Sequence, residues 1–311
     1  MKEQILAQLP FKFQLLLSKV AFEDLQEIRF RCGRPLMLYG AEGGCCIVQD
    51  GRILPVRAGQ AVRSQQPVLI SREDINALLG GFCENSVYAY QEEICDGFLT
   101  IRGGHRVGLC GRCVLTDGKI SNIADISGFN LRIAREFIGC AQNLLPQIFC
   151  RNQAVANTIL LAPPQCGKTT FLRDLTRLLS ERFKVSLIDE RSEIAAVKDG
   201  CAQLDVGMQT DVLDRFPKAA GMLSAVRSLS PEVVVTDELG SREDLAAVKS
   251  VLHTGCRIIT SMHAESETQL RGEQRELYAL FDKAVILTRR NGIPVVERVT
   301  DISVPRFRST L

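Results

Sequence analysis

Ala162-Pro163-Pro164-Gln165-Cys166-Gly167-Lys168-Thr169-Thr170 is the stretch of sequence that decides the fold of this chain. An apolar run at residues 158–161 precedes it, and apolar residues recur at three- and four-residue intervals over residues 171–179. This order predicts a buried strand, a loop and an amphipathic helix in succession. The loop matches the phosphate-binding pattern G-x-x-x-x-G-K-[ST], with alanine in the place of the first glycine.

The last residues of this loop carry its chemistry. Gly167 lets the backbone approach phosphate oxygens, and the N–H groups at the start of the helix attract an anion. We expect Lys168 to be exposed at the loop tip and to reach the β- and γ-phosphates of ATP, while Thr169 binds Mg²⁺. Residues 162–170 together form the predicted ATP-binding segment. Ala162 bears on nucleotide affinity, because the first position of the loop often needs unusual backbone angles.

A second apolar run, residues 233–235, leads into Thr236, Asp237 and Glu238. A strand that ends in two carboxylates suits an enzyme with a phosphate loop on a neighbouring strand. We expect Asp237 to hold Mg²⁺ through water and Glu238 to orient the attacking water. The alternative is that these carboxylates are solvated or cap the next helix.

Two further predicted strands end in polar residues. Asp189 and Glu190 follow the apolar run at 185–188, and Ser261 and His263 lie at the end of the run that starts at 258. Because ligands of parallel sheets bind beyond the carboxyl ends of the strands, all of these residues point to one site. We expect His263, and less strongly Ser261, to contact the γ-phosphate or the released phosphate. A capping or core histidine is the alternative.

The sequence predicts two domains, residues 1–132 and 133–311. The first has helical spacing interrupted by Pro10, a helix capped by Ser71 and a hairpin over 98–114 that turns at Gly103-Gly104, which together indicate a small α+β domain. The second begins with a helix that ends near Phe149 and continues as a βα alternation up to a hairpin at Asn291-Gly292. We therefore predict an α/β fold of the P-loop NTPase type, RecA/AAA+-like, with a mostly parallel sheet and helices on both faces.

Composition excludes several classes of protein. The 311 residues carry a net charge of +2, contain no tryptophan and include 6% aromatic residues. These values disfavour a basic channel or a stacking platform for nucleic acid. No apolar run approaches a membrane span and the N-terminus does not resemble a secretory signal, so we expect a cytoplasmic protein. The 12 cysteines lack the spacing of a zinc site and are expected to be reduced thiols.

The order of these motifs resembles the ATPases of type II and type IV secretion and of pilus retraction. The matching motifs cover roughly residues 155–270: the phosphate loop, an acidic box, an arginine-bearing turn, the strand ending in Glu238, and a histidine box. In this sequence they are 162–169, 189–190, 227–231, 233–238 and 254–263. The resemblance makes Glu190 a rival of Glu238 for orienting the water, and it implies a homo-oligomeric ring.

P-loop ATPases commonly use an arginine to stabilise charge on the γ-phosphate. Arg227 is the candidate in the α/β domain, together with Arg191. The secretion ATPases that the chain resembles also bring arginines from the N-terminal domain, which points to Arg102 and Arg106 beside the predicted hairpin turn. The alternative for these two is that they are solvated surface residues.

A closer resemblance extends over nearly the whole chain. Segments that look like the family of stage III sporulation protein AA are residues 103–108, 188–194, 205–207, 210–213, 217–219 and 221–222. This resemblance implies a mother-cell ATPase of endospore-forming bacteria that acts with membrane proteins of a stage III sporulation channel complex, at the cytoplasmic face of a membrane. A nucleotide-gated scaffold that hydrolyses little ATP is the alternative function.

Overall fold

The computed structural model describes residues 1–56, 66–150, 154–290 and 292–302. It divides into two units, Met1–Arg135 with Lys198–Gln203, and Glu136–Val197 with Leu204–Leu311. A short segment from within the second half of the sequence thus belongs to the first unit. The domain boundary at 132/133 stays a prediction.

The described part of the first unit combines four α-helices with a seven-stranded antiparallel sheet in the order β4-β3-β2-β1-β7-β6-β5. The helices are α1 (Lys2–Leu6), α2 (Phe11–Leu17), α3 (Arg72–Phe82) and α4 (Gln91–Cys95), with a 3-10 turn at Val87–Tyr90. The strands are β1 (Leu25–Arg31), β2 (Met37–Gly40), β3 (Gly43–Ile47), β4 (Ile53–Pro55), β5 (Phe98–Ile101), β6 (His105–Thr116) and β7 (Lys119–Arg132).

Local sequence signals explain most of these elements. Pro10 separates α1 from α2, and Ser71 closes a capping box with Asp74 at the start of α3. The predicted hairpin turn is confirmed: Gly103 and Gly104 have φ values of +86° and +74°, which favour glycine. Edge-to-face contact between Phe13 and Phe30, with centroids 5.2 Å apart, ties helix α2 to the sheet.

The second unit is built around another seven-stranded sheet, ordered β12-β9-β13-β14-β8-β15-β16 in the described chain. Its helices are α5 (Leu145–Ile148), α6 (Lys168–Leu179), α7 (Lys218–Ser228), α8 (Arg242–His253) and α9 (Gly272–Tyr278), with a 3-10 turn at Glu267–Gln269. The sheet strands are β8 (Thr158–Ala162), β9 (Val185–Asp189), β12 (Thr210–Asp214), β13 (Val233–Thr236), β14 (Arg257–His263), β15 (Lys283–Arg290) and β16 (Ile293–Asp301). Strands β10 (Val197–Lys198) and β11 (Cys201–Ala202) form a separate two-stranded sheet, and all of β11 lies in the segment that belongs to the first unit.

The strands of this sheet are parallel except for β16, which pairs with β15 as an antiparallel hairpin. Alternate strand residues pack against opposite layers. Leu160 and Leu187 face α5 and α6, whereas Ile159 and Ile188 face α7, α8 and α9. The predicted fold class, a mostly parallel sheet with helices on both faces and a separate α+β unit, is confirmed.

Of two local expectations, one needs revision and the other is confirmed. The helix predicted to end near Phe149 is confined to Leu145–Ile148, and turns precede it. The hairpin turn is present at Gly292, with φ +81°, while Asn291 lies outside the described residues. In the part of the chain that the structure describes, no helix has the length and apolar character needed to cross a membrane.

Candidate functional site

The carboxyl ends of β8, β9, β13 and β14 carry the residues singled out from the sequence. Lys168 begins helix α6 directly after the loop that leaves β8. Glu238 follows β13, His263 ends β14, and Glu190 follows β9. The parallel strands place these side chains at one edge of the sheet, as expected.

Lys168, Glu238 and His263 form one cluster. The Lys168 ammonium lies 3.1 Å from Oε1 of Glu238 and 2.7 Å from Nδ1 of His263, and it donates to the carbonyl of Ala162 at 3.2 Å. Nε2 of His263 lies 2.9 Å from Oε1 of Glu238. An ammonium group can only donate, so Nδ1 is the acceptor of this contact, while Nε2 faces the Glu238 carboxylate. The cluster therefore joins three of the predicted site residues.

The sequence predicted that Lys168 is exposed at the loop tip, and this prediction is wrong. Its side chain is only 7% exposed. Side chains at the start of a helix lean toward the N-terminus, so Lys168 folds back over the loop and satisfies its ammonium on groups from two other strand ends. The lysine that we expected to be solvated is thus held in place by acceptors.

A second lysine links the other two carboxylates. Nζ of Lys218 lies 2.8 Å from Oε2 of Glu190 and 3.8 Å from Oδ1 of Asp237. The backbone N–H of Lys218 also donates to Oε1 of Glu190 at 3.3 Å. Lys218 is the first residue of α7, so the first turn of this helix reaches both the acidic box and the end of β13.

Burial sets the electrostatics of Asp237. It raises the pKa of this carboxyl to about 6, and the charges of Asp189, Glu190 and Glu238 act in the same direction while Lys218 opposes them. Oδ1 of Asp237 is buried and accepts no hydrogen bond, although Lys218 lies within ion-pair distance. A buried carboxylate oxygen without a hydrogen bond is open to a further cationic partner.

The two residues of the acidic box have different environments. Asp189 is fully buried and accepts three backbone N–H bonds, from Glu193, Ile194 and Ala195, at 2.8–3.0 Å. Burial raises its pKa against the effect of these hydrogen bonds. Asp189 therefore fixes the turn after β9, and Glu190 is the member of the box that reaches the site.

The donor set fits Mg²⁺ in the way that nucleotide enzymes bind it. Among the described residues, no group of three His, Cys, Asp or Glu side chains could hold a metal by itself. Mg²⁺ usually keeps several waters and binds through one or two protein oxygens together with substrate phosphates. Thr169, partly buried in the first turn of α6, and the unsatisfied Oδ1 of Asp237 are donors of this kind.

Alanine at position 162, in the place of the first glycine of the phosphate-binding pattern, does not distort the backbone of the loop. This residue is the last of β8, pairs with His263 across the sheet and keeps strand backbone, so alanine is tolerated there. The left-handed positions are Gln165, with φ +60°, and Gly167, with φ +92°. Pro163 is partly buried, Pro164 is exposed, Cys166 is buried and Thr170 is partly buried.

The predicted arginines are not part of the Lys168 cluster. Arg227 is exposed at the last turn of α7, the opposite end of that helix from Lys218, and Arg191 is exposed after Glu190. In the first unit, Nε of Arg102 lies 3.3 Å from Glu84, and the guanidinium of Arg106 lies 3.5 Å from the centre of the Phe98 ring. Their predicted role near the γ-phosphate stays a prediction.

Sequence reasoning missed Lys218. A lysine in the first turn of a helix is disfavoured by the helix dipole, so its place after Pro217 was a signal that a nearby acidic group compensates for it.

Ser261 is buried, and its carbonyl accepts a hydrogen bond from the N–H of Leu239 at 3.1 Å. This bond fixes the chain directly after Glu238.

Comparisons with known proteins identify the family of the chain. The sequence model of the family described as "Sporulation stage III, protein AA" matches residues 1–302. A relative from Bacillus subtilis (strain 168), named stage III sporulation protein AA, is 40% identical over 268 residues, which cover 82% of this chain and 87% of the relative. The family resemblance inferred from the sequence is confirmed.

Two solved structures share the fold. The ATPase DotB from Yersinia pseudotuberculosis has a TM-score of 0.56 and 14% identity, covering 95% of this chain and 80% of DotB. The pilus retraction motor PilT, solved with bound ADP, has a TM-score of 0.55 and 14% identity, covering 94% of this chain and 83% of PilT. The chain therefore shares the fold of these two proteins.

Proposed function

The chain belongs to the family of sporulation stage III protein AA, and we propose that it binds ATP with Mg²⁺ and hydrolyses it. The observation that carries this proposal is the convergence of Lys168, Glu238 and His263 at the carboxyl edge of the parallel sheet. A phosphate-binding loop, a lysine and a carboxylate from a neighbouring strand are the parts that phosphoryl transfer needs. The structural likeness to DotB and PilT supports the same reading.

Each residue has a distinct role in this proposal. The loop 162–170 and the ammonium of Lys168 bind the phosphates, because the N–H groups at the start of α6 and the lysine all favour an anion. Thr169 and Asp237 hold Mg²⁺, which neutralises charge on the phosphates when bound. His263 faces Glu238 through Nε2 and orients that carboxylate.

The contacts favour Glu238 over Glu190 for orienting the attacking water. Both carboxylate oxygens of Glu190 are engaged, Oε2 by the ammonium and Oε1 by the backbone N–H of Lys218. The contacts of Glu238 with Lys168 and His263 both use Oε1. We assign the water to Glu238 and the ordering of the acidic edge to Glu190.

The cellular role that we propose follows from the relatives. A family named for stage III of sporulation, on a fold shared with a pilus retraction motor, supports an ATPase that powers or assembles a membrane-associated channel complex during endospore formation. We further propose a homo-oligomeric ring at the cytoplasmic face of the mother-cell membrane. Nucleic acid is not among the proposed partners.

Steady-state release of phosphate from ATP by the purified full chain tests the activity. We expect turnover that requires Mg²⁺ and stops with EDTA. Glu238→Gln, purified in the same way, reveals any contaminating ATPase, because its turnover should fall to background. Tight ATP binding with turnover no higher than that of Glu238→Gln would favour the nucleotide-gated scaffold instead.

A further inference from the structure

Three consecutive residues of the phosphate loop contact the β15–β16 hairpin. Nη1 of Arg289 donates to the carbonyl of Gln165 at 3.2 Å, and the thiol of Cys166 donates to the carbonyl of Leu287 at 3.5 Å. Gly167 packs against Pro294, where an added Cβ would lie 3.1 Å from the proline Cβ. The hairpin therefore packs along one side of the phosphate loop, which we call its outer side.

Of these three contacts, only the one with Gln165 is made by a charged side chain, that of Arg289. Its Nε donates to the carbonyl of Gly292 at 3.0 Å while Nη1 reaches Gln165. The planar guanidinium thus spans the hairpin turn and the loop with two hydrogen bonds of fixed relative direction. An arginine held in this way can set the position of the loop backbone.

The conformation of the loop explains why such support matters. Gln165 has φ +60°, which is unfavourable for a residue with a side chain. In a trans peptide the carbonyl and the following N–H point in opposite directions. Turning the Gln165 carbonyl toward Arg289 therefore directs the N–H of Cys166 away from the hairpin, toward the inner side of the loop where an anion would bind.

We propose that Arg289 is a positioning residue of the nucleotide site, and that the β15–β16 hairpin holds the phosphate loop in its anion-binding conformation. The proposal rests on the proposed ATP binding and deepens it. Arg289 acts through the loop backbone, so its loss weakens nucleotide binding and raises KM, with little change in kcat. The sequence pattern of the loop alone contains none of this information, because Arg289 lies 124 residues from Gln165.

The chain offers a matched control in Arg290. It has the same charge and is also exposed, but adjacent strand residues point to opposite faces, so its side chain leaves the hairpin on the other side. Arg289→Ala, Arg289→Lys and Arg290→Ala can therefore be compared with the parent protein. Thermal unfolding of each variant shows whether the fold is kept.

Alkylation of Cys166 reports on the loop without any nucleotide. Cys166 is only 4% exposed, whereas Cys201 is exposed and serves as an internal standard for iodoacetamide labelling mapped by peptide mass spectrometry. Burial raises the pKa of the Cys166 thiol, and the charges of Lys168 and Arg289 lower it, so labelling rates are compared per thiolate, with the thiolate fraction taken from the pH dependence of labelling. On that scale, loss of one hydrogen bond to the loop should raise the labelling rate of Cys166 by about fivefold in Arg289→Ala. Arg290→Ala should label at the parental rate, and Arg289→Lys should lie between the two.

Titration with ATP and Mg²⁺ provides the second readout. We expect the Kd of Arg289→Ala to rise at least about fivefold while kcat at saturation stays within about twofold of the parent. Parental Cys166 labelling in Arg289→Ala, or an equal change in Arg290→Ala, would overturn the proposal. If the parent itself binds no ATP, the proposed function fails, and the labelling comparison still decides whether Arg289 holds the loop.

Discussion

The two seven-stranded sheets of this protein bury their strands in different ways. In the first unit, β1 alternates between buried and more exposed residues, because one face of an antiparallel sheet packs on the core. In the second unit, every residue of β8, β9 and β13 is buried, because helices cover both faces. These three strands therefore have no open face, and their polar chemistry is concentrated where they end.

This difference explains where charged residues gather. Parallel strands all end at the same edge, so Glu190, Asp237 and Glu238 lie close together and are balanced by Lys168 and Lys218. Antiparallel strands send alternate ends to opposite edges, so the residues that follow them are not all collected at one edge. We conclude that the first unit is held together mainly by its apolar core and that the second unit carries the proposed nucleotide site.

The largest expected effect tests the role of the first core. Phe30 is fully buried against Phe13, so Phe30→Ala should lower the free energy of unfolding by about 3–5 kcal/mol. Phe11→Ala is the control, because Phe11 is 77% exposed and its loss should change stability by no more than about 0.5 kcal/mol. Chemical denaturation followed by circular dichroism measures both. Equal losses in the two variants would contradict the packing described here.

The next effect concerns the two rival carboxylates of the second unit. Glu238→Gln should keep ATP binding and slow hydrolysis at least about 100-fold, because an amide cannot polarise water as a carboxylate does. Glu190→Gln should slow it less, since Glu190 is held by Lys218. Rapid-quench measurement of phosphate formation compares them. Near-parental turnover in Glu238→Gln with loss in Glu190→Gln would move the role to the acidic box.

Variants of Arg102 and Arg106 test whether the first unit contributes residues to the proposed ATP hydrolysis. The resemblance to secretion ATPases predicts that Arg102→Ala lowers the maximal ATPase rate at least about tenfold with little change in thermal stability. Arg106→Ala should instead lower the unfolding temperature, because its guanidinium packs on Phe98. Parental activity in the double variant would leave Arg191 and Arg227 as the candidates.

The smallest effect is a pH dependence of stability. The pKa of Asp237 is about 6 in the folded chain and near 3.8 when unperturbed, so between these values the folded state keeps a proton that the unfolded state loses. The contribution of the Asp237 carboxyl to the free energy of unfolding is full below about pH 3.8 and is lost as pH rises through about 6. Asp237→Asn should therefore raise the unfolding temperature by roughly 2–4 °C at about pH 7.5. The difference should shrink as pH falls through about 6 and vanish only below about pH 3.8, and a shift that does not change with pH would contradict the assignment.

Sequence patterns predicted the parts of the structure that depend on local order. The apolar runs predicted strands β8, β9, β13 and β14 of the parallel sheet but not β12. The rule that the ends of parallel strands meet at one edge predicted that Lys168, Glu238 and His263 lie close together, as they do. The exposure of Lys168 was predicted wrongly, because a local motif does not show which distant acceptors surround an ammonium.

Other features were missed because they depend on long-range contacts. Strand β7 was not foreseen, since it gains its order from pairing with both β1 and β6. Lys218 reaches Glu190 from 28 residues away, and Arg289 reaches the phosphate loop through a hairpin that forms far along the chain. Lys218 and Arg289 are residue types that are common on any protein surface, and only the folded sheet brings them to the site.

Isothermal titration of the full chain with ATP and Mg²⁺, beside Lys168→Ala, tests the central claim that the edge of the parallel sheet is a nucleotide site. Removing the Lys168 ammonium takes away a charge-assisted contact to phosphate and leaves Glu238 without one of its partners. We expect saturable binding by the parent and a Kd at least about 100-fold weaker in the variant, with circular dichroism unchanged. Equal affinity in the two proteins would contradict it.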